Sequence, residues 1–215
     1  MKFTDSPVIE VPVGDGRLSL QQDNGSMHIG PASSSSSIPR PLGPACHPEN
    51  PYAHLVDYRG KRAVELGTGC GAAGMGLYLL GLTDIAPVMP ALRHNLKRNK
   101  PVLNKTPHRN SSDHIKSLNP PFDIVVATDV VYIEESVGHL VEAMAALVKS
   151  NGLVLLGYQL RSPEADKRFW KLCEEVFVKE KVRHEDLHPE HAYEEADVYI
   201  LRKKKDKKKD KEDEL

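Results

Sequence analysis

The chain has 215 residues, of which 40% are hydrophobic, so it is long and apolar enough for one globular domain with tails, and wholesale disorder is disfavoured. Its formal net charge is -1, which gives no overall bias towards nucleic acid or an acidic membrane surface. Its 3 cysteines lack a CxxC spacing, which argues for a reducing compartment and against a disulfide framework or a zinc site.

The first predicted elements form a β-hairpin. Two short runs, Val8–Val13 and Arg17–Gln22, flank Gly14-Asp15-Gly16, and glycine supplies the positive φ that a tight hairpin turn requires. Residues 30–51 are rich in serine and proline, and such a segment cannot bury enough apolar surface to offset its ordering entropy. We therefore expect an N-terminal hairpin extension over residues 1–29 and a disordered linker over residues 30–51.

The predicted globular domain covers residues 52–202 and alternates strands with helices. Short β-rich runs predict its strands: Lys61–Leu66, Phe122–Thr128, Leu153–Tyr158, Phe177–Val182 and Asp197–Leu201. Segments with helical composition or periodicity predict its helices: Ala72–Leu82, Ala86–Asn99, Ser136–Lys149 and Ala165–Val176. Asn151-Gly152 provides a stop signal for the third of these helices. The alternation predicts an α/β fold with a mostly parallel sheet covered on both faces.

A glycine-rich turn follows the first strand of this domain. Gly67, Gly69 and Gly71 stand between that strand and a predicted helix, where glycine permits a tight turn and close approach of the backbone to a ligand. Such a turn binds S-adenosylmethionine or a dinucleotide, because Gly67, Gly69 and Ala72 also satisfy the looser dinucleotide pattern. The acid Glu65 and the third glycine favour the methyl donor. A turn that merely uses glycine is the remaining alternative.

The sequence resembles the seven-strand S-adenosylmethionine-dependent methyltransferases, with a Rossmann-like sheet, and among them the methyltransferase-like protein-lysine group. The resemblance is carried by four segments: residues 22–28, Val64–Gly71, residues 83–95 and Phe122–Tyr132. The last segment is the most specific, because a buried strand there ends in the group's Asp-x-x-Tyr signature, Asp129 to Tyr132.

The resemblance implies S-adenosylmethionine as the cofactor. The residues that match the group's cofactor site are Glu65, Gly67, Gly69, Gly71, Asp84 and Asp113. The glycines would shape the pocket, and Glu65 would face the methionine end. Asp84 would accept hydrogen bonds from the ribose hydroxyls, and Asp113 would contact the adenine.

Asp129 and Tyr132 are implied as the catalytic pair of a protein-lysine methyltransferase. They follow a buried strand, and parallel α/β sheets bind ligands at the carboxyl ends of their strands. There they would line the opening for a lysine side chain and orient its amine, while the transfer itself is largely positioning. Two structural alternatives stay open: Asp129 as the N-cap of the next helix, and Tyr132 as a core aromatic.

Two spacings depart from the group's pattern. Only Gly81-Leu82-Thr83 stand between the predicted helix and Asp84, which is short for a strand, and the polar stretch Thr106–Ser117 stands where a third strand is expected. We therefore expect one or two strands to be lacking, as in a shortened form of the domain. A catalytically impaired, methyltransferase-like interaction protein is one alternative, and a methyltransferase acting on a small molecule or nucleic acid is another.

The remaining features predict no second site. His184, His188 and His191 lie in an acidic loop interrupted by Pro189, and we expect no metal there. Cys70 has no evident histidine base, so we expect no catalytic thiol. The mixed-charge tail, residues 203–215, is expected to be disordered, with a nuclear-localisation signal as the alternative reading.

The partners and location follow from the same text. No apolar run approaches the roughly 20 residues of a membrane span, and the N-terminus does not resemble a secretory signal. We expect a cytoplasmic protein, with the nucleus as a second location. We further expect a monomer that acts on a protein substrate, chaperones among the candidates, without membrane or nucleic-acid partners.

Overall fold

The computed structural model of the chain describes residues 8–13, 16–21, 51–56, 60–69, 71, 74–75, 81–83, 89–103, 119–187 and 194–205. Within these residues the strands form a two-stranded sheet and a six-stranded sheet. The predicted linker apart from Pro51, and most of the predicted tail, lie outside the described residues. No helix in the described ranges combines the length and apolar character needed to cross a membrane.

The small sheet is the predicted hairpin. Strands β1 (Val8–Val13) and β2 (Gly16–Gln21) pair antiparallel, with Val13 opposite Gly16. The sequence prediction of a hairpin here is confirmed. The ends of β2 differ from the predicted ones by one residue, because Gly16 is the first residue to pair with β1 rather than part of the turn.

The large sheet is mostly parallel. Its strands are β3 (Ala63–Leu66), β4 (Gly81–Thr83), β5 (Phe122–Thr128), β6 (Val148–Tyr158), β7 (Phe177–Lys181) and β8 (Asp197–Lys203). They are ordered β4-β3-β5-β6-β8-β7. The first four are parallel to their neighbours, and β8 runs antiparallel between β6 and β7. The predicted α/β class with a mostly parallel sheet is therefore confirmed.

The helices of the described residues connect these strands. They are α1 (Met89–Arg98), α2 (Lys100–Leu103), α3 (Val137–Leu147) and α4 (Pro163–Val176). Short 3-10 turns lie at Ala53–Val56, Glu134–Ser136 and His184–Asp186. The start of α4 is fixed locally, because the side chain of Ser162 accepts a hydrogen bond from the N–H of Ala165 at 3.2 Å and proline opens the helix.

The core lies on both faces of the central strands. On one face, β5 and β6 pack against α3 and α4 through Met144 and Phe169, both fully buried. On the opposite face they pack against residues of a 3-10 turn and two loops: Leu55, Val182 and Leu187. This burial on both sides explains the unbroken Ile-Val-Val run of β5, because neither face of the strand meets water.

The strand β4 corrects the spacing argument. Its three residues pair parallel with Val64, Glu65 and Leu66 of β3, so Gly81 and Leu82 belong to a strand and not to the predicted helix Ala72–Leu82. Three residues are short for a strand but sufficient for this ladder, and the pairing overrides the helical composition of the segment. The strand that the sequence left no room for is present, directly before Asp84 in the chain.

The other expected gap has no place in the centre of the sheet. In the described part of the chain, β3 already pairs with β4 and β5, and β5 with β3 and β6. Any strand contributed by Thr106–Ser117, which lies outside the described residues, could only add to the β4 or β7 edge. The central ladder is therefore complete, and its backbone groups are satisfied.

The junction of α3 and β6 also differs from the prediction. The helix ends at Leu147 and the strand begins at Val148, so Asn151-Gly152 lies inside β6 and does not stop a helix. A Cβ on Gly152 would stand 2.7 Å from the carbonyl oxygen of Asp123. Glycine is required there because the backbone of β5 approaches closely, which is a tertiary constraint that resembles a cap signal in the sequence.

Two buried asparagines attach the hairpin to the large domain. Asn95 and Asn99 lie one helical turn apart at the end of α1, and both are almost fully buried. Their amide oxygens accept hydrogen bonds from the N–H groups of Gln21 and Ser19 at 2.8 and 2.7 Å, and their amide nitrogens donate to the carbonyls of the same residues. The two side chains thus pair with β2 as a neighbouring strand would.

Candidate active site

The glycine turn after β3 has the conformation that its sequence demands. Gly67, Gly69 and Gly71 have φ values of 69°, 57° and 89°, a region that other residues rarely adopt. A Cβ on Gly71 would lie 2.6 Å from the terminal methyl of Met75, so the turn is packed on that side. A Cβ on Gly69 would meet nothing within 4 Å, so the turn is open there. The turn therefore has one packed face and one accessible face.

Glu65 lies beneath this turn. Its side chain is fully buried, and Oε2 accepts a hydrogen bond from the N–H of Gly74 at 2.9 Å. The turn continues into a helical hydrogen bond, in which Met75 N–H donates to the carbonyl of Gly71 at 2.9 Å. The carboxylate thus ties the end of β3 to the start of the next segment. Its predicted orientation towards a cofactor stays a prediction.

Asp129 lies directly after β5, in a loop that leaves the sheet at the same edge. Its φ of 52° is left-handed, a conformation that aspartate tolerates better than most residues. Its N–H donates to the carbonyl of Gly157 in β6 at 2.9 Å. Its carboxylate accepts two hydrogen bonds from Arg161, from Nε at 2.9 Å and from Nη2 at 2.7 Å. Both the backbone and the side chain of Asp129 are therefore held in place.

The structure brings the glycine turn and the Asp129 loop together. A Cβ on Gly67 would lie 2.5 Å from Cγ1 of Val130, so the valine fills the space that the missing side chain leaves. Beyond it, Tyr132 and Ile133 are 45% and 41% exposed, and Leu160 after β6 is 59% exposed. An apolar rim therefore surrounds the carboxylate at the carboxyl ends of β5 and β6.

Both structural alternatives for the signature pair are wrong. The 3-10 turn after Asp129 is capped by Ile133, and α3 by Ser136, so the aspartate caps neither element. Tyr132 is half-exposed at the rim and does not belong to the core. Both residues are instead in a loop at the edge where parallel sheets bind ligands.

Arg161 is a functional candidate that the sequence reasoning missed. It follows β6, the parallel neighbour of β5, so the topology places it beside Asp129. The signal was available, since a basic residue just beyond a buried strand can meet an acid beyond the adjacent one. The hydrogen bonds to Asp129 raise the pKa of Arg161 above its usual value, against the opposing effect of burial.

The remaining predicted residues are not brought into this picture. Asp84, Asp113 and Cys70 lie outside the described residues. His184 contacts Asp197, with Nε2 at 3.1 Å from Oδ1, on the far side of the sheet from β3. The described part of the site therefore consists of the glycine turn, the acid beneath it, the Asp129 loop and Arg161.

A parallel α/β sheet with a three-glycine turn after one strand, and an acid and tyrosine after its neighbour, defines an S-adenosylmethionine-dependent methyltransferase. The fold agrees with a T. thermophilus 16S rRNA methyltransferase in complex with AdoMet and guanosine, with a TM-score of 0.57 and 17% identity, over 92% of this chain and 50% of that one. The lysine methyltransferase family model matches residues 41–176. The chain belongs to the lysine methyltransferase family, and the predicted class and its cofactor are confirmed.

The curated relatives agree with this family. Protein N-lysine methyltransferase METTL21A of Mus musculus is 30% identical over 152 residues, which cover 64% of this chain and 67% of the relative. The Danio rerio METTL21A is 30% identical over 147 residues, with the same coverage. EEF1A lysine methyltransferase 3 of Mus musculus is 27% identical over 124 residues, covering 54% of this chain and 53% of the relative. The alignments thus span about half to two thirds of these relatives.

Proposed function

We propose that this chain transfers a methyl group from S-adenosylmethionine to the side-chain amine of a lysine in another protein. The observation that carries the proposal is the contact of Val130 with Gly67, which joins the glycine turn to the loop of Asp129. A turn suited to the cofactor and a carboxylate suited to an amine thereby share one edge of the sheet. The lysine methyltransferase relatives support the choice of acceptor.

The residues of the turn fit the cofactor. Gly69 presents open backbone, while Gly67 and Gly71 are closed off by packing, so a ligand reaches the turn from one side. When bound, S-adenosylmethionine supplies a methyl group on a positively charged sulfur. We assign Glu65 to the methionine end, through the turn that it holds. Asp84, the residue after β4, is assigned to the ribose, and Asp113 is assigned to the adenine on the resemblance alone.

Asp129 and Tyr132 are assigned to the lysine. An amine attacks a methyl group only through its free electron pair, so the acceptor must lose its proton before transfer. A carboxylate can accept a hydrogen bond from the amine, and a phenol at the exposed rim can direct it. Both groups contribute by orientation, and orientation alone can supply several kcal/mol of a transfer barrier, roughly 7–11 in favourable cases.

The partner and the location of the enzyme are part of the proposal. The exposed apolar rim of Tyr132, Ile133 and Leu160 supports a macromolecular acceptor, because such patches commonly mark contact sites. We propose a protein substrate, with chaperones among the candidates, and an enzyme that acts as a monomer in the cytoplasm, with the nucleus as a second location.

The test is transfer of label from tritiated S-adenosylmethionine to a total protein extract, followed by analysis of methylated amino acids. We expect label in methyl-lysine with the wild-type chain and none above background with Asp129→Asn. Asp186→Asn is the matched control, because Asp186 accepts a similar pair of hydrogen bonds from Arg183 away from the site. Label in nucleic acid or small molecules would redirect the assignment, and no label at all would refute it.

A further inference from the structure

We propose that Arg161 is a positioning residue for this transfer: its guanidinium fixes the carboxylate of Asp129 and cancels its charge, so that the lysine binds beside it as a neutral amine. The inference rests on the proposed function and concerns the same site. It assigns a task to a residue that neither the glycine turn nor the Asp-x-x-Tyr signature includes.

The first support is the geometry of the pair. Nε and Nη2 of Arg161 meet one oxygen each of Asp129, at 2.9 and 2.7 Å, which is the parallel two-bond arrangement that fixes a carboxylate plane. The side chains are 32% and 18% exposed, so water screens the pair only in part. A carboxylate has about four acceptor positions, so each oxygen of Asp129 can still accept a bond from an amine.

The second support is the rigidity of both partners. Asp129 has a left-handed φ of 52° and donates its N–H to the carbonyl of Gly157. Arg161 stands between the end of β6 and Ser162, whose side chain caps α4. Since β5 and β6 are adjacent parallel strands, the sheet itself sets the distance between the two residues. A pair held from both sides suits positioning better than a surface ion pair does.

The third support is the chemistry of the acceptor. A lone carboxylate within about 4–6 Å of a lysine raises the pKa of its ammonium by roughly 1–3 units and so stabilises the protonated form, which cannot attack a methyl group. A guanidinium on the same carboxylate offsets this field. Asp129 then orients the amine by hydrogen bonding without holding the proton on it.

The surroundings carry other charged groups, and none of them is changed by the test. The neighbouring turn and the first turns of α4 contain Glu134, Glu135, Glu164, Asp166, Lys167 and Arg168. Two of the acids have partners, since Glu164 accepts from the hydroxyl of Ser162 and Asp166 accepts from that of Tyr158. Glu65 lies buried beneath the glycine turn. A difference between variants at Arg161 therefore reports on Arg161.

The experiment measures the initial rate of methyl-lysine formation in the total protein extract against pH, from neutral to alkaline, for the full chain and its variants. Arg161→Gln should lose rate at neutral pH and shift the rising limb upwards by about 1–3 pH units, because the charge of Asp129 is no longer offset. Arg161→Lys should keep the limb near its wild-type position but lose rate, because an ammonium cannot make the two-bond contact. The double variant Arg161→Gln/Asp129→Asn should return the limb to the wild-type position at low rate.

Arg183→Gln is the matched control. It breaks a second two-bond arginine–aspartate pair, with Asp186, in the loop after β7, three strands away from β5 in the sheet. We expect no shift of the limb in this variant. The same limb in Arg161→Gln as in the wild type, or an equal loss of rate at every pH, would overturn the inference while leaving the proposed function intact. A wild-type chain without transfer would refute the proposed function itself.

Discussion

Replacing Gly67 with alanine tests how the glycine turn and the Asp129 loop fit together. The residue has a φ of 69°, and the added methyl would stand 2.5 Å from Cγ1 of Val130. Two costs follow. A left-handed alanine costs about 1–2 kcal/mol, and forcing a methyl into a packed contact costs about 1–3 kcal/mol. We expect Gly67→Ala to lower the free energy of unfolding by about 2–5 kcal/mol in total.

The two costs can be separated by matched variants. Gly60 has a similar φ of 71°, and a Cβ there would meet nothing within 4 Å, so Gly60→Ala should show only the backbone cost of about 1–2 kcal/mol. In the double variant Gly67→Ala/Val130→Ala the contact is relieved. The double variant should therefore lose about 1–3 kcal/mol less than the sum of the two single variants.

The assay is urea unfolding of the four variants and the wild type, followed by far-ultraviolet circular dichroism. The variants must share one slope of free energy against urea for their differences to be compared. Equal effects of Gly67→Ala and Gly60→Ala, or additive effects in the double variant, would show that Val130 does not fill the turn. The link between the cofactor turn and the Asp129 loop would then be lost.

Three further predictions concern the rest of the fold. Asp123→Asn should lower the free energy of unfolding by about 1–2 kcal/mol in urea at neutral pH; burial acts to raise the pKa of Asp123, but hydrogen bonds from Lys149 and the N–H of Arg62 lower it overall, so this contribution exists above the unfolded pKa of about 3.9 and fades as pH falls through the folded pKa, and a difference that persists in acid would contradict it. Asn95→Ala leaves a hairpin N–H without its acceptor, so we expect a loss of about 1–3 kcal/mol and faster hydrogen exchange in β2; unchanged exchange would mean that the hairpin is held by other contacts. Burial raises the pKa of Cys173 to about 12, so it should react with a thiol reagent only on unfolding, and rapid reaction of the native chain at this residue would contradict the packing of α4.

Much of the fold follows from local patterns. The Ile-Val-Val run of β5, the glycine-flanked hairpin and the start of α4 each satisfy a rule that the nearby residues settle alone. Ser162 caps its helix through the N–H of a residue three positions on, and proline follows it, so no distant contact is needed. Such elements can be recognised in a sequence because their physical causes lie within a few residues of one another.

The missed features depend on distant contacts. Gly152 is required by the backbone of β5, although Asn-Gly beside a helical pattern resembles a stop signal. The strand β4 exists because its three residues pair with β3, which no local pattern reveals. Arg161 gains its task only once β5 and β6 are adjacent. The site could therefore be predicted where it resembles a known motif, and only in part where the sheet assembles it.

The central claim is that the glycine turn binds S-adenosylmethionine, and calorimetric titration of the full chain with this cofactor tests it most directly. Gly69 and Gly60 share a positive φ and open surroundings, but only Gly69 lies in the turn. We expect saturable binding by the wild type and Gly60→Ala, and at least about tenfold weaker binding by Gly69→Ala, which corresponds to about 1.4 kcal/mol. Equal affinities of the two variants, or no binding by the folded wild-type chain, would contradict the account.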